Sequence, residues 1–482
     1  MKKYIKYFSL LFVTSVFVGC NDELKELEPF TEGNPATFFN TEQTFQYGVD
    51  GAYAKFFSYY ASQSGYQGLP DILADNVVIA RSGRLSNEDF YDYRYQPNSA
   101  GSVDLWWSQA YEAVNNANLV IGQIDNLAAS PAKDNILGQA LAARAIAHFD
   151  LVRVYAKIPT QSDDAAQSPG IIYIKVEDGD TADPLAEPSR ETVASNYTEI
   201  IGDLTRASQL IGDDNGEGRL NKNGVFGMLS RVYLYNGQYQ EAINAADQVD
   251  TPLATKDQLA GVYTDDNNAG VIIEWSVNTS TETTYDNVGV IYSQTVSGDL
   301  KSEYVIDYAF YTSIDTNDVR RPIMVKPATY SGNDYNAINK FIGEGVQING
   351  LLDIKVLRKA EVLLNKAEAQ FELGMETQAL QTLNTLRVER FNNFIAGNES
   401  GAQLEEAIQF NRRVELSFEG HRFFDIKRRG EAVTRSDFGD FADGTGTPAE
   451  IKTLPAGDNK FQYPLPIGET NANANIEQNP GY

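Results

Sequence analysis

Twice in this sequence a helical run halts at a glycine, and a second run presents an alanine five residues later. The first case is GVFGMLSRVYLYNGQYQEAINAADQV (224–249), with Gly237 and Ala242. The second is VLRKAEVLLNKAEAQFELGMETQALQTLNTLRVERF (356–391), with Gly374 and Ala379. Glycine ends a helix readily because it takes a left-handed cap conformation without steric cost. Alanine lets the returning helix approach the first closely. A chain that uses this device twice is committed to helices packed on helices.

Other stretches extend the pattern. Thr41 reads as the N-cap of a leading helix that continues through Phe45, Val49 and Tyr53. Helical pairs are expected at about 103–156, 189–249, 356–391 and 402–430. In the first, Leu141, Ala145, Phe149 and Val152 share one face; the second opens near Ser189 as N-cap and runs through Tyr197, Ile201 and Leu204. The expected fold is mainly α: tetratricopeptide-like helical hairpins form a scaffold, with a large loop-rich insertion and a few short strands. Two segments break the helical period. Residues 60–102 are punctuated by Gly65, Gly68, Pro70, Gly83, Pro97 and Gly101. Residues 251–350 carry short β-like runs, Val271–Trp275 and Val288–Tyr292. Loops held on a rigid frame tend to carry function.

The ends bound the destination of the chain. Lys2, Lys3 and Lys6 precede an uncharged apolar stretch, Tyr7 to Val18, which is too short to span a bilayer and suits a secretory leader. It runs into Val18-Gly19-Cys20, and Cys20 is the only cysteine in 482 residues. That sequence resembles a lipobox, with Phe17 where leucine is more usual. It predicts a signal peptide over 1–19, lipidation at Cys20, a tether over 20–40 and a body over 41–482. Lipid anchors of more than one chain hold firmly to a membrane. With 39 basic against 66 acidic residues the net charge is −27, which excludes nucleic acid as an expected partner. It also disfavours strongly anionic ligands unless a local basic patch overrides it.

Two long motifs carry a family resemblance. Residues 412–430 read RRVELSFEGHRFFDIKRRG, and the chain closes on YPLPIGETNANANIEQNPGY (463–482). With the lipobox, Trp106, Ala110, Tyr111, Asn115 and Asn118 and the helical hairpins, these make the chain similar to the SusD/RagB family of outer-membrane nutrient-binding lipoproteins. Leu465 stands where that family usually has Ile. The resemblance implies one SusD-like domain over 41–482. It also implies a surface-exposed, lipid-anchored protein that captures oligosaccharides for a SusC-like TonB-dependent transporter in the outer membrane. Some members take peptides instead. The residues of the first motif read as structure: Arg412, Glu415, Glu419, Arg422, Asp425 and Arg428 alternate in sign at helical spacing, so they predict a partly buried ion-pair network, bent at Gly420. His421 and His148 read as packing residues, and Trp106 and Trp107 as core.

A sugar platform needs aromatic faces interleaved with short polar side chains. Asp75, Asn76, Arg81, Tyr91, Tyr93, Tyr95 and Asn98 form one candidate set, and Trp275, Tyr285 and Tyr292 a second. Tyr91, Tyr93 and Tyr95 alternate as they would along one strand face. Asp213 to Gly218 mimics the start of a calcium loop, but position 12 is Gly224 instead of glutamate, so it reads as a solvated turn. No metal and no cofactor is expected, and no catalytic constellation stands out. The leading reading is a glycan-capturing lipoprotein. Peptide capture, a surface glycoside hydrolase with carboxylates about 5–9.5 Å apart, and a transporter lid that binds nothing are the alternatives.

Overall fold

A computed structural model describes residues 35–99, 101–177, 180, 186–277, 287–296, 299–342 and 352–482. The expected leader, Cys20 and Tyr285 lie outside them, as does the tether apart from its last residues. The described chain is mainly helical. No helix among the described residues is long and apolar enough to cross a membrane.

Helix α1 (Glu42–Ala61) starts at Thr41, whose side chain accepts from the Thr44 N–H, and it buries Phe45, Val49, Tyr53 and Phe56. It packs against α2 (Ser102–Gln123) and α3 (Pro131–Tyr155). Helix α3 is buried on all sides from Ile136 to Tyr155, the mark of a central helix. Next comes α4 (Val193–Leu210), capped by Thr192, not by Ser189. The three-residue shift arises because Arg190 and Glu191 are held by extended backbone: the Gly170 N–H donates to Glu191 O, and Arg190 Nε donates to Gly170 O.

The expected hairpins form as α5 (Lys222–Tyr235) with α6 (Tyr239–Ala246), and α7 (Lys359–Glu372) with α8 (Glu376–Arg387). Gly237 and Gly374 take φ of 71° and 73°. The N–H after each closes a six-residue cap, Gln238 to Tyr233 O and Met375 to Gln370 O. Ala242 is fully buried with Leu234, Ile243 and Ala369, which locks the first hairpin onto the second. Ala379 is buried among Ala360, Leu364, Leu383 and Leu404. The device read from sequence therefore does two jobs, closing each hairpin and stacking one on the other.

The fourth pair is split. Helix α9 (Ala402–Glu415) is followed by a tight turn with Phe418 at φ 66° and Gly420 at φ 81°, and then by α10 (Arg422–Arg428). A β-carbon on Gly420 would fall 2.4 Å from Tyr66 O, so only glycine fits. The motif's charges form a buried network, though mostly not with one another. Glu415 accepts from Arg320 (3.1 Å), Arg358 (2.8 Å) and Arg390 (2.8 Å), which arrive from three separate segments. Arg412 and Arg428 meet on Asp425 at 2.8 and 2.9 Å, and Arg428 also reaches Glu368 at 2.6 Å. Burial alone would raise the Glu415 pKa, but Arg390, Arg358 and Arg320 outweigh it and hold the carboxylate well below its usual range.

The two loop-rich segments join in one antiparallel sheet. Its order is Val77–Ile79, Tyr304–Ile306, Asn333–Ile338, Val325–Tyr330, with Val77 opposite Ile306 and Val325 opposite Ile338. Val271–Trp275 is a strand as expected, paired with Ile354–Arg358. Val288–Tyr292 is not: it forms a short helix, buried on every side, and a short apolar run of that kind carries no period to separate helix from strand. The closing motif straps the end of α3. Asn479 Nδ2 donates to Tyr155 O and Tyr463 O at 2.7 and 2.6 Å, and Gln478 pairs with the Leu465 backbone at 2.7 and 2.9 Å. His148 and His421 are buried, as are Trp106 and Trp107.

Candidate functional site

The residues expected to form a sugar platform are mostly inside the molecule. Trp275 is 2% exposed and stacks on Phe56 at 4.7 Å between ring centroids. Tyr292 is fully buried, stacked on Phe341, with its hydroxyl donating to Gly68 O at 2.7 Å. Tyr91, Tyr93 and Tyr95 do not share a strand face. Tyr91 ends a helical turn and lies under the Arg435 guanidinium at 3.9 Å. Tyr93 takes φ 55° and donates to Leu73 O at 2.6 Å, and Tyr95 is buried beside Phe90 and Tyr463. Their alternation reflects a turn: Tyr91 and Tyr93 both lie against the Arg435 guanidinium, while Tyr95 packs on Phe90 and Tyr463.

Asp75 and Asn76 are buried as well, and their polar atoms are committed. Arg422 grips the Asp75 carboxylate through two hydrogen bonds of 2.7 and 2.9 Å. Arg413 donates to Asn76 Oδ1 at 2.7 Å and to Asp75 O at 2.9 Å. Burial alone would raise the Asp75 pKa, yet Arg413 and Arg422 bring it down to about 2. These two residues hold arginines in place, and each of their side-chain polar atoms already has a partner within the protein. Arg81 is half-buried and paired with Glu88, and Asn98 is exposed on a turn. The structure thus brings Asp75 and Asn76 together beneath Arg413 and Arg422, and no aromatic platform forms from the described rings of either set.

The open concavities lie elsewhere, on either side of α9. The first has a volume of about 410 Å³. The loop after α8 makes one wall, with Phe391, Asn392, Asn393 and Phe394. The turn at Asp315 and Asn317 makes another, and Phe410 of α9 completes it. Long-range pinning sets this loop. Arg390 is drawn inward by Glu415, the Val319 N–H donates to Arg390 O at 2.9 Å, and the Asn392 N–H donates to Asn317 O at 2.9 Å. With its base fixed, the loop turns at Asn393 (φ 54°) and projects Ile395, which is 87% exposed. Arg387 donates to Glu399 at 2.9 Å across the wall. Half-buried phenyl faces, side-chain amides and an ion pair offer apolar contact, donors and acceptors in one cleft of ordinary ligand-pocket size.

The second concavity, about 360 Å³, is lined by Glu405, Glu406, Gln409, Arg413, Arg422 and Arg429, and it shares Phe410 with the first. Elsewhere, carboxylate oxygens of Glu217, Glu274 and Asp353 lie within 4.8 Å of one another, the one potential metal-holding group found among the described residues. Burial raises the pKa of Glu274 and brings Asp353 to about 6. Lys355 sits 3.3 Å from Glu274 and already supplies a cation there. In the calcium-like turn, Asn215 points inward to Asn135 at 2.7 Å and Asp214 caps Gly216, so their oxygens do not converge.

The first cleft was missed in sequence although its signal is plain: FNNFIAGNES (391–400) interleaves aromatics, amides and glycine directly after a helical hairpin. Comparison with known proteins places both motifs. A family model described as the SusD family matches residues 239–482, and one described as starch-binding associating with outer membrane matches 36–234. SusD-like protein P38 of Formosa agariphila is 24% identical over 90% of this chain and 93% of its own. A SusD superfamily protein from Bacteroides thetaiotaomicron superposes with a TM-score of 0.79 at 24% identity, covering 91% of this chain and 100% of that one. A laminarin binding SusD-like protein superposes with a TM-score of 0.69 at 21% identity, over 92% of this chain and 100% of that one. The ion-pair signature on α9 and α10 and the strap over α3 both fall inside the matched C-terminal half, and the chain belongs to the SusD family.

Proposed function

We propose that this protein is a glycan-capturing lipoprotein. In this reading it is held to the outer membrane by lipid on Cys20, and it hands oligosaccharides to a SusC-like TonB-dependent transporter. The observation that carries the reading is the first cleft, where Phe391, Phe394 and Phe410 stand beside Asn392, Asn393 and Asn317. Sugar C–H faces stack on such rings, and amides donate to and accept from hydroxyls. The laminarin-binding neighbour and the starch-binding description of the matched family support the ligand class. Peptide capture by strand addition gains little support. Of the two edge strands of the four-stranded sheet, Val325–Tyr330 contains Pro327, which lacks an N–H to donate, and Val77–Ile79 is only three residues long and buried.

The test is calorimetry of residues 21–482 against laminarin and starch oligosaccharides, with Phe394→Ala alongside. Stacking on one ring is worth about 0.5–1.5 kcal/mol, so the variant is expected to weaken binding by up to about tenfold with an unchanged unfolding midpoint. Binding that ignores Phe394 sinks the assignment of the cleft. Absence of any glycan binding sinks the function. Incubation with the same glycans is expected to release no reducing ends, and their appearance would favour a hydrolase.

A further inference from the structure

At the floor of the second cleft two guanidiniums share one carboxylate. Arg422 spends Nε and Nη2 on Asp75. Arg413 spends Nε on Asn76 and Nη2 on the Asp75 backbone, with the Asp75 carboxylate 3.4 Å away. Neither Nη1 bonds any other described residue, and the two side chains keep 22% and 20% of their surface exposed toward the cleft. Asp75 is ionised throughout the ordinary pH range, so it can gain no further negative charge with which to balance the second arginine. Burial together with the Arg422 charge lowers the Arg413 pKa to about 10, although the charges of Asp75, Asp307 and Asp71 act to raise it.

The other charged groups nearby act on the two arginines only at longer range. Arg429 is taken by Glu431 and Glu405, each at 2.9 Å. Asp71 accepts from Asn76, and Asp307 caps the turn at Phe310 and accepts from Ser436; neither forms an ion pair with the two arginines. Glu406 lies seven residues before Arg413 on α9, about 10 Å along the helix. Gln409, one turn before Arg413, sets an amide beside the guanidinium. Phe410 belongs to both clefts, so a chain lying on the phenyl rings of the first reaches the arginines of the second without leaving the surface.

We infer that the second cleft is a subsite for the anionic substituent of an acidic sugar, carboxylate or sulfate, carried on a chain whose neighbouring units lie in the first cleft. Planar guanidinium groups with unused N–H donors match both substituents. In a protein of net charge −27, this spot selects an acidic unit that the rest of the surface repels. The inference rests on the glycan reading of the first cleft and extends it.

The experiment is calorimetry of residues 21–482 with paired probes. One pair is oligogalacturonate and its methyl ester; the other is a sulfated galactan oligosaccharide and its desulfated form. The expected result is that at least one acidic probe binds about tenfold tighter than its neutral partner at low salt, a gap that closes as salt rises. Which pair shows the gap identifies the substituent. Arg413→Gln risks loosening Asn76, so Gln409→Glu is the second variant: it sets a carboxylate one turn from Arg413, leaves the brace intact, and is expected to erase the preference. Equal binding of both members in both pairs overturns the inference. So does a preference that survives Gln409→Glu. If neutral laminarin still binds and depends on Phe394 in that case, the glycan reading stands while the subsite falls.

Discussion

Glu415 faces Arg320, Arg358 and Arg390 with no solvent to share the load. Replacing it by alanine would strand three buried cations, and breaking even one buried pair costs about 3–5 kcal/mol. Glu415→Ala is therefore expected to lose at least that much in urea denaturation, or to fail to fold, whereas Glu406→Ala on the exposed face of the same helix should change little. The acid limb of stability follows from the same chemistry. Glu415, Asp75 and Glu361 have folded pKa values below their unfolded ones, so their contribution is complete above about pH 5 and is lost as pH falls toward 2. His421 and His148, held neutral by burial at about 4 and 3, add destabilisation that begins near pH 6.5. Asp71 and Asp353, both raised to about 6, act in the opposite sense and soften the upper part of the slope. A pH series of thermal midpoints should decline gently from pH 6.5 and steeply below 4.5; a flat profile to pH 3 would contradict it.

Elements show where sequence reading succeeds and where it stops. The long helices were legible, and so were those ends whose causes are local: Thr41 caps its own helix, and Gly237 and Gly374 supply the left-handed residue that each hairpin needs. Gly420 belongs with them, and Gly420→Ala is expected to destabilise strongly, since the new methyl meets Tyr66 O at 2.4 Å in a backbone already at φ 81°. Gly468, on an open helix, has nothing within 4 Å and serves as the control. Ion-pair partners were not legible, because Arg320, Arg358 and Arg390 reach Glu415 through tertiary folding that no spacing rule encodes. The same limit explains the site. Residue type announces that Trp275 and Tyr292 are able to stack on a ligand, but only the fold decides that they stack on Phe56 and Phe341. The loop at Phe391–Phe394 carried the right composition, yet its exposure depends on Arg390 being pulled the other way.

At the scale of the whole molecule, the first and last parts of the chain meet in one core that runs from Phe39 to Ile476. Tyr463 packs on Trp106, and Tyr482 stacks on Tyr95, so the closing residues complete a surface built from α2 and the early loop segment. The strap from Gln478 to Tyr482 gives the Tyr155 carbonyl at the end of α3 its short hydrogen bond, from Asn479 at 2.7 Å, beside a longer one from Arg190 at 3.4 Å. A chain ending at Glu477 loses those bonds, and Asn479→Ala loses two of them. Both are expected to lower the unfolding midpoint, the truncation more, in a scanning calorimetry comparison. The strap has a further consequence in time. Because residues 478–482 seal the far end of a helix some three hundred residues earlier, closing this part of the core waits on a contact of large sequence separation, whose loop-closure entropy is spent before the contact rewards it.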